Sequence, residues 1–241
     1  DPVGQRHDLQ VAGGALDEGR DRARHPVTPG AGGAATSAAG LRGPAARAHR
    51  RQTMLDAAQE VFVAHGYHGA KMDEISARSG ISKPVLYDHF ASKLDLYLVV
   101  LQLNLDRMVD GVRVAVAADT EPRSRVRGAV QAYFDFVEYD LGGYVLVFES
   151  PVPSEPCVEW RVRNAMRDCA VLVSAELRAV GVDATRADIH AWGLVGLSRL
   201  AASHWLEAGR PISKKDAVDT ASALCWNGLS TVDRRQQEEH R

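Results

Sequence analysis

An all-α fold is predicted by three observations. Apolar residues recur at intervals of three and four through most of the chain beyond residue 44. Gly, Pro and helix-capping residues separate these segments. No stretch alternates apolar and polar residues with the period of two that a half-buried strand needs. The pattern divides into about nine helices: an N-terminal three-helix unit that carries a helix-turn-helix, then a larger C-terminal helical domain. With 241 residues, of which 45% are apolar, the chain can bury a sizeable core.

The expected divisions are a disordered extension over 1–43, the helix-turn-helix unit over 44–92, the larger domain over 93–232 and a flexible tail over 233–241. The extension is rich in Gly and Ala (GGAATSAAG, Gly32 to Gly40) and has almost no apolar periodicity, so it cannot offset the entropy of ordering. It reads as an inert tail in preference to an arm along DNA through Arg20, Arg22, Arg24 and Arg42. The first helix is expected from about Ala45 to His65, with Leu55, Ala58, Val61 and Phe62 inward and Arg47, Arg50 and Arg51 leading it in. Gly66 ends it. His65 and His68 lie either side of that break with no further ligand at metal spacing, so no metal site is expected.

The stretch MDEISARSGISKPVLYDHF (Met72 to Phe90) is the centre of the argument. Met72 and Ile75 share one helix face, Gly80 supplies the left-handed turn, and Ser82 and Pro84 start a second short helix. In that helix Leu86 and Phe90 form a narrow inner stripe. Lys83, Pro84, Tyr87 and Asp88 face outward. Helix, short Gly-containing turn, helix is the arrangement that places a helix in a DNA major groove, where Lys meets guanine acceptors, apolar groups meet the thymine methyl and Tyr bonds phosphate. The turn alone leaves an ordinary helical corner as the competing reading.

The surroundings decide between the two. Ala58, Phe62, Gly66 and Tyr67, then LYDHF and SK, closely resemble the TetR family of transcriptional regulators. Segments GYHGAKMDEI, KPVLYDHF, VQAYFDFVEYD, GLVGLS and PISKKDAV resemble its FasR-type members, actinobacterial regulators of fatty-acid synthesis that respond to long-chain acyl-CoA. The resemblance implies a double-stranded DNA operator as partner, with Lys83, Pro84 and Val85 at base edges and Tyr87, His89 and Lys93 on the sugar-phosphate backbone. Lys71 stands where many members carry a capping Ser or Thr; it can still reach a phosphate as a point charge. Asp88 has no assigned role: near DNA it needs cytosine N4 or a neighbouring cation.

The remaining helices follow in order. Helix 4 (about Lys93 to Ala118) carries Leu94, Leu98, Leu101, Leu105 and Met108, and helix 5 (about Pro122 to Asp140) carries Val126, Val130, Tyr133, Phe134 and Val137. Gly142 and Gly143 break the chain before a short helix, YVLVFES. PVPSEP (Pro151 to Pro156) is expected as a rigid loop. Helix 7 (about Glu155 to Val180) carries Trp160, Met166, Leu172 and Leu177. Helix 8 (about Ala184 to Ala208) is capped by Asp183, and helix 9 (about Lys214 to Leu229) by Ser213 with Asp216. Both are apolar around much of their circumference, more than one core needs, and the resemblance implies a homodimer through helices 8 and 9. It also implies that Tyr133, Phe134, Val137, Tyr144, Phe148, Trp160 and Met166 lie on helices surrounding an effector cavity. Little charge interrupts them, so the effector is expected to be apolar, possible ligands being a long-chain acyl-CoA or a compact aromatic molecule of the kind that efflux regulators sense.

Other classes find little support. The net charge is −2, so the chain is no basic nucleic-acid coat; between Leu41 and Asp95 eight Lys and Arg face six Asp and Glu, a net of +2. Three cysteines at unrelated spacings give no disulfide framework and suit a reducing cytoplasm. There is no apolar run of membrane-spanning length and no secretory signal. Glycine-rich phosphate loops, nucleophile elbows and metal-ligand spacings are absent from the sequence, and Ser198 with His204, or His190 with Asp188, reads as helix residues facing solvent or a partner helix. No catalytic residues and no cofactor are expected. A helical ligand-binding dimer that has lost DNA recognition remains the alternative, suggested by Lys71 and Asp88.

Overall fold

The computed structural model describes residues 43–118, 120–149 and 155–239, with side chains described except at 44 and 229–239. The expected extension therefore lies outside the described residues save Gly43, as does most of the PVPSEP loop. Among the described residues the chain forms α-helices α1 (Pro44–Gly69), α2 (Met72–Ser79), α3 (Lys83–His89), α4 (Lys93–Ala117), α5 (Pro122–Tyr139), α6 (Leu141–Tyr144), α7 (Pro156–Ala179), α8 (Ala184–Glu207) and α9 (Lys214–Glu239). A π-helical turn, Val145–Glu149, follows α6 directly. No strand occurs among the described residues, and no helix there is long and apolar enough to cross a membrane.

Local signals set most boundaries. Gly80 sits at φ 68°, ψ 15° and ends α2. Ser92 accepts from the Asp95 N–H at 3.0 Å to start α4. Asp183 accepts from the amides of Thr185 and Arg186 to start α8, and Ser213 accepts from Asp216 at the start of α9. Gly66 adopts φ 64° inside α1 and kinks it, but helical geometry resumes to Gly69, beyond the expected end. Gly142 and Gly143, expected as a break, instead begin α6, because the Asp140 carboxylate accepts the Gly143 N–H at 2.8 Å. Gly143 has to be Gly: a Cβ there would meet Asn104 Oδ1 at 2.6 Å and Asp140 Cγ at 2.8 Å. Past Leu229 the α9 backbone stays helical to Glu239, as a stretch without Gly or Pro that ends in Arg, Gln and Glu permits.

The core confirms the inward stripes of the first and fifth helices: Leu55, Ala58, Val61, Phe62, Val126, Val130, Tyr133, Phe134 and Val137 are all buried. Two stripes differ from expectation. In α4 the fully buried set runs through Leu96, Tyr97, Val100, Leu101, Asn104, Leu105 and Met108, while Leu94 and Leu98 are only half-buried. This helix packs against α1 at its start and against α5 and α7 farther on, so its buried face is wider than one stripe. In α7 the buried set is Val158, Ala165, Met166, Cys169, Ala170, Val173 and Ser174. Trp160 points out, 63% exposed, because Val158 takes the inward position at that end.

Candidate nucleic-acid interface

The interface is built from the bottom of α1 upward. Ile75 on α2 and Leu86 on α3 are fully buried against the α1 core residues Met54, Ala58 and Phe62. The turn between α2 and α3 is fastened by the Ser76 hydroxyl, which donates to the Ile81 carbonyl at 2.7 Å. Arg78 bridges α2 to α1 by pairing with Glu60 at 3.1 Å, and lies 3.7 Å from Glu74. The Arg51 guanidinium lies over the Phe90 ring at 4.8 Å, so one of the leading arginines braces the end of α3 and is not simply a solvated cation.

With Leu86 and Phe90 inward, α3 presents Lys83, Pro84, Tyr87 and Asp88 to solvent, with Val85 and His89 half-buried at its edges. Lys71, at the start of α2, is also exposed and its side chain caps nothing. The expected base-reading and backbone-holding residues of α2 and α3 thus share one accessible surface. Lys83 is engaged: its ammonium lies 2.8 Å from Asp73 Oδ1. The hydrogen bond to that carboxylate raises the Lys83 pKa above the usual lysine value, so the cation is retained and has an exchangeable partner. Asp73 also lies in the first turn of α2, where a carboxylate suits the helix dipole.

Lys93 corrects an expectation. Its ammonium does not project toward the DNA-facing surface. It donates to the carbonyls of Tyr67 at 2.8 Å and Ala70 at 3.0 Å, and lies over the Tyr67 ring at 4.6 Å. It caps the carbonyls at the end of α1 and ties them to the first turn of α4.

Two further links join this unit to the helical domain. Phe62, Tyr67 and Tyr97 form an aromatic cluster with ring centroids 5.1 Å apart for Phe62–Tyr97 and 5.2 Å for Tyr67–Tyr97. The other link is polar. Fully buried Asn104 donates to the Gln59 side chain at 3.2 Å, Arg107 donates to Asn104 Oδ1 at 3.3 Å, and Arg107 pairs with Asp140 at 3.2 Å. Asp140 caps α6, so α1, α4 and α6 share one hydrogen-bonded junction. The lone Asn among the apolar residues of α4 was the signal for it.

In the larger domain a mainly apolar cavity of about 180 Å³ opens between α4, α5, α7, α8 and α9. Val116, Val126, Ala129, Val173, Leu194 and Trp226 line it, with Arg125, Glu176 and His190 as its polar groups. Arg125 and Glu176 form an ion pair there. None of the seven residues expected around an effector lines this cavity. Tyr133, Phe134, Val137, Tyr144 and Met166 are buried in the core, Phe148 is half-buried beneath Arg199, and Trp160 is on the surface. Tightly packed aromatics and a pocket wall have the same helical spacing, which is why sequence alone could not separate them.

Comparison with known proteins completes the picture. The description "Bacterial regulatory proteins, tetR family" matches residues 54–100, which span the α1 core, the helix-turn-helix and the start of α4. The HTH-type transcriptional activator FasR of Mycolicibacterium smegmatis is 49% identical over 187 residues, covering 77% of this chain and 85% of FasR. A TetR-like regulator from Rhodococcus sp. RHA1 is similar in structure, with a TM-score of 0.63 and 30% identity over 78% of this chain and 99% of that one. FadR from Bacillus subtilis, solved in complex with stearoyl-CoA, shares the fold at a TM-score of 0.61 and 12% identity, covering 73% of this chain and 97% of FadR. Regulators of this kind bind operator DNA and dimerise. An exposed α3 held on α1 and α2, and a likeness to FasR that extends through the helical domain, lead to one conclusion: the chain belongs to the TetR family and is a DNA-binding transcriptional regulator.

Proposed function

We propose that the chain is a dimeric one-component sensor that controls fatty-acid metabolism and binds its operator through α2 and α3. In this reading an apolar effector of the long-chain acyl class, acyl-CoA in particular, sets its affinity for DNA. The carrying observation is the outward face of α3, where Lys83, Pro84, Tyr87 and Asp88 are exposed while Leu86 alone in that helix is fully buried. A helix so thinly attached to the core has its chemistry on the outside. Lys83, Pro84 and Val85 read base edges in this proposal, Tyr87 and His89 hold the backbone, and Lys71 reaches a phosphate.

The dimer surface in this reading is formed by α8 and α9. Ile189, Trp192 and Leu200 of α8 are 67%, 47% and 67% exposed, and Leu224 of α9 is 65% exposed. Large apolar residues at 189, 192 and 200 follow one face of α8, which suits a partner helix better than water. Gly193 and Gly196 lie on the same side and leave room for close approach of a second helix. Effector binding would act as a population shift. A ligand in the helical domain would favour one setting of α4, whose first turn is tied to α1 through Lys93, and so would change the spacing of the two recognition helices.

Support for the acyl class comes from the likeness to FasR and from FadR, a protein of the same fold that binds stearoyl-CoA. A second reading rests on the cavity itself: about 180 Å³ is close to the size of an apolar protein cavity that holds benzene, so a compact aromatic effector also suits it. The test is a titration of the complex between the protein and its own upstream DNA with acyl-CoAs of rising chain length and with monocyclic aromatics. Release that improves with each methylene supports the acyl reading; release by the aromatics alone supports the second. Absence of any shift with the upstream DNA would favour a dimer that has lost DNA recognition. Light scattering that gives a monomer at micromolar concentration would overturn the α8 and α9 interface.

A further inference from the structure

The apolar cavity lies at the end of the helical bundle farthest from the helix-turn-helix. Its wall takes Val116 from the last turn of α4, Arg125 and Val126 from the start of α5, and Glu176 from the last turn of α7. His190 of α8 and Trp226 of α9 complete it. Val116 lies about 35 Å along α4 from Lys93. An engineered apolar cavity of about 150 Å³ takes benzene, so this one, at about 180 Å³, has room for a single ring with a small substituent.

The charges on the wall are arranged unequally. Arg125 Nη1 donates to Glu176 Oε2 across the cavity wall, and the two side chains are 27% and 34% exposed. An ion pair that still touches water contributes little net stability, so a competing carboxylate can take the place of Glu176 at small cost. Glu176 is the more exposed partner, and on release its carboxylate regains water. A cation that took Glu176 would instead leave the less exposed Arg125 without its counter-charge, and a guanidinium stays charged. Among the described residues the cavity is lined by one carboxylate against three side chains that can offer an N–H, namely Arg125, His190 and Trp226. The site is therefore built for an acceptor.

We infer that the cavity takes a compact carboxylate: an apolar body of about one ring, seated against Trp226 and the aliphatic wall, whose carboxylate replaces Glu176 on the Arg125 guanidinium. The inference rests on the compact-effector reading above, not on the acyl one, and adds to it the charge of the ligand and the residue that recognises it. A planar carboxylate matches the guanidinium fork with two parallel N–H···O bonds, while the ring gains by leaving water. Glu176 is then a built-in competitor for the same cation.

The test uses the full-length protein with benzoate, its neutral isostere benzamide and the cation benzylamine, followed by calorimetry and tryptophan fluorescence. Wild type should bind benzoate about tenfold more tightly than either of the others, and Arg125→Gln should bind benzoate and benzamide alike. Glu176→Gln should bind benzoate several-fold more tightly than wild type, with benzamide unchanged. The opposite signs of the two variants separate recognition from a merely structural ion pair, whose loss would act in the same direction from either side. The fluorescence change caused by benzoate should be largely lost in Trp226→Phe. Should Arg125→Gln fail to fold, Glu176→Gln decides: benzoate bound no more tightly than by wild type overturns the exchange. Wild type that binds benzamide or benzylamine as well as benzoate, or an Arg125→Gln that keeps the preference, overturns the inference and leaves the compact reading standing. A fluorescence response kept in full by Trp226→Phe also overturns it, by placing the ligand elsewhere. If wild type binds none of the three at millimolar concentration, the compact reading falls and this inference with it.

Discussion

Replacing Lys93 with Met separates the phosphate contact expected from the sequence from the inward, carbonyl-capping role seen in the structure. As a phosphate contact, Lys93 would contribute to DNA affinity and little to stability. The structure turns its ammonium inward, onto the Tyr67 and Ala70 carbonyls at 2.8 and 3.0 Å and the Tyr67 ring at 4.6 Å. Met keeps the aliphatic stem and its packing on Tyr67 but cannot donate. Hydrogen bonds to a charged group contribute about 1.5–3 kcal/mol net. Lys93 is part-exposed and water will take over some of the freed carbonyl capacity, so the loss should be about 2 kcal/mol. For a domain of this size that lowers the melting temperature by about 4–8 °C. Two measurements decide: thermal unfolding, and operator affinity as a function of salt. Each phosphate contact contributes about 0.9 to the slope of log affinity against log salt. Lys93→Met should leave that slope unchanged while lowering stability; Lys71→Ala, on the exposed surface, should lower the slope by about 1.8, one contact from each protomer of the dimer, and leave stability alone. A Lys93→Met variant that melts like wild type and loses about that much salt slope would refute the inward role.

Three other outcomes are expected. Lys83→Ala should weaken operator binding by about tenfold or more and relax sequence preference with an unchanged melting temperature, as read by fluorescence anisotropy against operator variants. Leu86→Ala should cost about 2–5 kcal/mol in denaturant unfolding, because Leu86 is fully buried beneath the recognition helix. Gly143→Ala should cost about 1–3 kcal/mol, since its Cβ would lie 2.6 Å from Asn104 Oδ1; Gly142→Ala, whose Cβ would crowd the far end of the Gln59 side chain at 2.9 Å and touch Val63 at an ordinary 3.5 Å, should cost less.

The outward face of α3 was legible in the sequence because Leu86 and Phe90, four apart, set one narrow inner stripe on a two-turn helix, and Gly80 and Ser82 mark its start by local chemistry. The same holds for the caps at Ser92, Asp183 and Ser213, each set within four residues of chain. The all-α class follows from periodicity, which is also local. Tertiary structure decided what depends on residues far apart in sequence. Lys93 reaches back 26 residues to the Tyr67 carbonyl, and no spacing rule distinguishes that from a reach toward phosphate. Trp160 and Met166 both belong to an apolar helix pattern, yet one is exposed and the other buried, because the neighbours of α7 cover only one of its faces. Tyr133 reads from spacing as an inward residue of its helix and from the resemblance as part of an effector site; the structure buries it in the core away from the cavity, because what lies against it is set by packing between helices rather than by the pattern along any one of them.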